Sequence, residues 1–125
     1  MTGPMQQAMT DNDHHLHSLA LAAFEQLHTA MLGVVDMFTH ESQVTTALLG
    51  VLAQRTPITT LVGNFDITSE RAGVTAALDG YETARRHARV ALWRVMLAEG
   101  CSIGEISRIV GLSRQLVSRQ LRDLP

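Results

Sequence analysis

Arg114, Gln115, Ser118, Arg119 and Arg122 fall close together near the C-terminal end of a 125-residue chain, and each carries hydrogen-bond donors suited to gripping or reading a polyanion. On a helix, Leu116, Val117 and Leu121 would turn inward and leave these five on the outer face. A guanidinium can donate two hydrogen bonds to guanine and a carboxamide can pair with adenine. Arg114, Gln115, Ser118 and Arg119 are therefore candidates for contact with base edges. Arg108, Ser113 and Arg122 are better placed to hold phosphates. Charge is distributed accordingly. Residues 1–80 hold two arginines against eight acidic residues, a net −6, whereas residues 81–125 hold eight against four, a net +4. A near-neutral chain with a basic C-terminal third suits one end meeting a polyanion and the other meeting protein.

The elements that must position these side chains are readable from local signals. Ser102 and Glu105 form an S-x-x-E capping box, which predicts a helix over Ile103 to Val110. Gly111 supplies the positive φ of a tight turn, and Ser113 can cap a second short helix, Arg114 to Arg122. With Gly111 at the turn, the inward positions are Ile106, Val110, Leu112, Val117 and Leu121, and the small residue where the helices cross is Ser107.

This run, ISRIVGLSRQLVSRQL, resembles the helix-turn-helix of bacterial transcription regulators, close in pattern to LuxR-type C-terminal domains and to the promoter-reading region of sigma factors. It covers roughly a fifth of the chain, and the N-terminal 80 residues resemble no family. The resemblance implies that Arg114 to Arg122 is a recognition helix in a major groove of double-stranded DNA, with the preceding helix bridging the backbone. The chain ends three residues after Arg122, so a wingless motif is expected. Arg85, Arg86, Arg89 and Arg94 on the preceding helix are read as solvated charges, with backbone contacts the alternative.

The rest of the chain reads as all-α. Residues 1–12 form a loose tail, residues 13–80 a helical dimerisation region, and residues 81–125 a tri-helical DNA-binding domain. From Leu16, the residues Ala20, Phe24, Leu27, Met31, Val34 and Phe38 follow at alternating steps of four and three. A second helix is expected over Glu41 to Gln54 on Val44, Ala47, Leu48, Val51 and Leu52, with Thr39 as its cap. Residues 57–67 permit either a short helix, with Thr56 as cap, Pro57 first and Gly63 past the end, or a small hairpin turning at Gly63-Asn64. The short helix is preferred. A third long helix opens at Thr68 or Ser69 and stops at Gly100. In it Val74, Tyr81, Ala88 and Val95 repeat every seven residues, as do Ala77, Ala84, Ala91 and Ala98. Such seams suit either a helix buried within the chain or a homodimer contact. The expected homodimer interface takes Ala20, Phe24, Leu27, Met31, Val34, Phe38, Val44, Leu48 and Val51.

Other functions find little support. Cys101 is the sole cysteine, which excludes an intrachain disulfide and marks a small packed residue near a turn. No phosphate loop, nucleophile motif or carboxylate pair stands out, so neither an enzyme nor a cofactor is expected. His14 and His17 have a helix-compatible spacing but no evident carboxylate partners, and no metal site is expected. Met5, Met9, Met31, Met37 and Met96, with Phe24 and Phe38, offer a possible small-molecule effector pocket, although such residues usually form core. No run of about 18 uninterrupted apolar residues suggests a membrane span, and no leader is legible at the start, so a cytoplasmic protein is expected. The leading expectation is a homodimeric, DNA-binding regulator. The alternative is a protein-interaction adaptor or antitoxin-like module that uses the same fold without reading bases.

Overall fold

Thr10 and Asp13 start the first helix by capping each other. The Asp13 amide donates to Thr10 Oγ1 and the Thr10 amide to Asp13 Oδ2, both at 3.1 Å, and hydrogen bonding from Thr10, its amide above all, holds the Asp13 carboxyl below its usual pKa. In the computed structural model, which describes residues 9–63 and 65–124, five helices follow: α1 Asp11–Ala53, α2 Ile58–Val62, α3 Ile67–Ala98, α4 Ile103–Val110 and α5 Arg114–Asp123. No strand occurs among the described residues, and the fold is all-α. Residues 1–8 of the expected tail lie outside the described residues. Its last two are already helical.

The break expected near Thr39 is absent, because α1 runs unbroken through it. The Thr39 hydroxyl donates back to the Val35 carbonyl at 2.9 Å, and that of Thr46 to Ser42 at 2.8 Å. These are interior helix bonds rather than caps. With neither glycine nor proline between Val34 and Gly50, nothing stops the helix.

At its end, Arg55 adopts φ +54, its amide reaching the Leu52 carbonyl and that of Thr56 reaching Val51. This is a Schellman turn made without glycine. Ile58 to Val62, the first strand of the hairpin alternative, is helical. Pro57, however, occupies the cap position expected for Thr56, and Gly63 continues the right-handed turn at φ −64. α3 opens one residue before the expected start, because Asp66 is the cap. Its carboxylate accepts from the Ser69 amide at 3.1 Å and from the Ser69 hydroxyl at 2.7 Å, which lowers the Asp66 pKa. α3 then passes through Gly73 and Gly80 and ends in a second Schellman turn with Gly100 at φ +103.

The chain divides into two compact units, one of residues 1–27 and 84–125, the other of residues 28–83. Among the described residues, the first contains every side chain that is fully buried. Val90, Trp93, Ile106 and Val117 form its core, against which Met96, Cys101, Ile103, Val110, Leu112, Leu121 and Leu124 pack. Ala20, Ala88 and Val95 are also buried there. The tri-helical region expected over 81–125 thus shares its unit with the first turns of α1.

In the unit of residues 28–83 no described residue is buried. Half-buried positions recur at alternating steps of three and four, at Ala30, Val34, Met37, Glu41, Val44, Leu48 and Val51 on α1 and at Glu70, Val74, Ala77 and Tyr81 on α3. These are the inward positions of two paired helices. His40 Nε2 lies 2.9 Å from Glu70 Oε1 and 3.0 Å from Oε2, and the carboxylate raises the pKa of the imidazole. The other side of α1 in this unit is open to solvent, with Met31, Leu32, Val35, Phe38, Leu49 and Leu52 all exposed.

Candidate nucleic-acid interface

α4 and α5 are positioned by local bonds before any core contact is counted. Ser102 Oγ accepts from the Glu105 amide at 3.1 Å while Glu105 Oε1 accepts from the Ser102 amide at 3.2 Å, completing the capping box. Gly111 at φ +72 ends α4, its amide donating to the Ser107 carbonyl at 3.0 Å. The Ser107 hydroxyl donates to the Leu112 carbonyl and ties the turn to the preceding helix. Ser113 then caps α5 by accepting from the Leu116 amide at 3.1 Å. Ile106 from α4 and Val117 from α5, both 0% exposed, meet on Trp93 and hold the two helices together.

With Val117 inward, the opposite side of α5 faces water. Arg114, Gln115, Arg119 and Arg122 are exposed and Ser118 is half-buried. Together with Ile103 they line one shallow, open depression. The structure therefore brings together all four residues proposed for base edges and one of the three proposed for phosphates. Arg114 is held at one side. A Cβ on Gly104 would lie 3.0 to 3.2 Å from its guanidinium, so the absence of a side chain there lets the arginine rest against the first turn of α4.

Arg108 and Ser113 do not line the depression. Arg108 is exposed in the last turn of α4, where its charge also suits the helix dipole. The Ser113 oxygen serves as a cap, which leaves its hydroxyl proton to donate. Arg122 Nε lies 3.5 Å from the exposed Asp123 carboxylate, a weak pair that a phosphate can displace.

Two residues that hold α5 in place could not be picked out in the sequence. Arg89 donates to Gln120 Oε1 at 2.9 Å and its guanidinium carbon lies 5.4 Å from the centre of the Trp93 ring. Arg94 donates to the carbonyls of Leu121, at 3.1 Å, and Leu124, at the helix end. Neither is merely a solvated charge. Their partners lie 27 to 31 residues away, and the only signal was an arginine-rich face on α3.

The nine residues proposed for a dimer contact are placed on both sides of α1. Ala20 is buried and Leu27, Val34, Val44, Leu48 and Val51 are half-buried within the chain, whereas Phe24, Met31 and Phe38 are exposed. The α3 repeat is likewise covered by the chain itself, except at Ala98. The methionines and phenylalanines considered for an effector pocket are not gathered in one place: Met9, Met31, Phe24 and Phe38 face solvent, Met37 is half-buried on the inward side of α1, Met96 packs on the core, and Met5 lies outside the described residues. In comparisons with protein-family models, curated proteins and solved structures, nothing matches this chain.

Proposed function

We propose that the chain is a sequence-specific DNA-binding transcriptional regulator that acts as a homodimer, with α4 and α5 as a helix-turn-helix and α5 in the major groove. The observation that carries the reading is the exposed donor face of α5. Arg114, Gln115, Ser118, Arg119 and Arg122 line one depression on a helix whose opposite side is locked by Ile106, Val117 and Trp93. Base-edge recognition requires such donors on a rigid element, and the net +4 of residues 81–125 supplies attraction to phosphate. Such a role is cytoplasmic and needs no catalytic group.

A single short motif contacts few base pairs, so useful discrimination calls for two copies at a fixed separation. The unit of residues 28–83 fits the task of joining them. It buries none of its described side chains yet exposes Met31, Val35, Phe38, Leu49 and Leu52, spaced by three, four or eleven residues along one side of α1. A second copy of the same helix would cover that stripe. α1 is also long and apolar enough to cross a membrane by length and composition. His28, Asp36, His40 and Glu41 along the same segment favour a protein partner over lipid.

The test is selection of duplex sites from a random pool by the purified full chain, followed by binding to the selected and a scrambled duplex. Enrichment of a two-fold symmetric site, with half-sites about one helical turn or a multiple of it apart, is expected. Absence of binding to any DNA at low salt would overturn the reading in favour of the adaptor.

A further inference from the structure

The unit of residues 28–83 gathers one imidazole and two carboxylates from separate parts of the sequence. His40 and Glu41 come from α1 and Glu70 from the first turn of α3, and their ligand atoms all lie within 4.8 Å of one another. Glu70 turns both oxygens toward His40 Nε2, at 2.9 and 3.0 Å. Glu41 adds a second carboxylate. An ordinary surface ion pair needs one acid for one base, whereas here two carboxylates lie beside one imidazole.

A cavity of about 470 Å³ adjoins the cluster, and Glu41 and Glu70 form part of its wall. Its other walls include Val44, Leu48, Val62, Phe65 and Val74, with Arg71 as a further charged group.

We propose that His40, Glu41 and Glu70 form a binding site for a divalent first-row transition cation on the wall of this cavity. One nitrogen and two carboxylate oxygens suit such an ion better than Ca²⁺ or Mg²⁺, which prefer oxygen alone. Two ligands at about 2.1 Å from a tetrahedral ion sit roughly 3.4 Å apart, so small side-chain rotations close the cluster. His40 is 53% exposed and Glu70 35%, which leaves them free to make that adjustment. Three protein ligands leave at least one coordination position open. The neighbouring cavity then suits a small ligand with an apolar body and an oxygen donor. The inference rests on residues 28–83 alone and stands or falls independently of DNA binding.

Zn²⁺ is titrated by calorimetry into the purified, tag-free full chain and into His40→Ala, Glu41→Gln, Glu70→Gln and a combined His14→Ala, His15→Ala, His17→Ala variant, with helicity checked in each. The expected result is a saturable site in the wild type that is weakened about tenfold or more in each of the three single variants and kept in the combined one. Mg²⁺ is expected not to compete. Unchanged Zn²⁺ affinity in the single variants overturns the site, as does loss of binding in the combined variant alone. So does an affinity no tighter than about 1 mM in the wild type. If His40→Ala loses helicity, the two Glu→Gln variants, which keep side-chain shape, decide the matter.

Discussion

Arg119 and Arg122 stand three residues apart on α5, both exposed, yet their substitutions are expected to differ in kind. Arg119 lies four residues after Gln115 on the face proposed to meet base edges. Arg119→Ala should cost about 1 to 3 kcal/mol on the selected duplex and leave a scrambled one nearly unaffected. Arg122→Ala or Arg108→Ala should weaken both duplexes and reduce the slope of log affinity against log salt by about 1. Fluorescence anisotropy over a salt series separates the two patterns, and equal losses for Arg119→Ala on both duplexes would remove it from base reading. At this scale the donors of α5 were legible because they share a helix with the apolar residues that turn them outward. Arg89 and Arg94 were not, since a basic side chain in α3 looks the same in sequence whether it is solvated or bonded to α5.

Among the elements, the helix ends offer the clearest tests. Gly100 and Gly111 have positive φ, and a Cβ at either would meet nothing within 4 Å. The penalty of Gly100→Ala or Gly111→Ala is therefore one of backbone conformation, about 1 to 2 kcal/mol in chemical denaturation. Arg55 already occupies the same region at φ +54, so Arg55→Gly is expected to raise stability where the two glycine substitutions lower it. Loss of stability in Arg55→Gly would show that its side chain contributes more than the backbone strain removes. The cap of α3 brings a pH dependence. Bonds from Ser69 depress the folded pKa of Asp66. Its contribution is complete above the ordinary carboxylate pKa and is lost as pH falls through the depressed folded value. Thermal melts should therefore show Asp66→Ala less stable than wild type at neutral pH, with the gap closing on acidification. A gap independent of pH would mean that the charge of Asp66 has no part in it. The glycine stops and the α4 capping box were legible because each depends on residues a few positions apart. Asp66 does not stand out as the cap in the sequence because Thr68 and Ser69, beside it, are also good cap residues.

For the whole molecule, the two sides of α1 are expected to respond differently to substitution. Phe38 is 57% exposed and Leu27 half-buried in the single chain. Phe38→Glu should thus halve the mass measured by light scattering at micromolar concentration while keeping the helical content. Leu27→Glu should lower the melting temperature whatever the mass. A wild-type mass equal to one chain would remove the homodimer from the proposal. The sequence by itself determined the all-α class, the span and caps of α4, the start of α5 and the donor face that α5 presents. Each follows from hydrogen bonds and apolar spacing within a few residues, where chain connectivity already brings the partners together. Only the tertiary structure decided which apolar side of α1 its own chain covers, since an amphipathic repeat states that a face must be buried without stating against what. It also brought His40 and Glu41 to Glu70 and gave Arg94 the end of α5 to hold. Those partners are some 30 residues apart, and at that separation proximity comes from the packing of whole helices rather than from any local pattern.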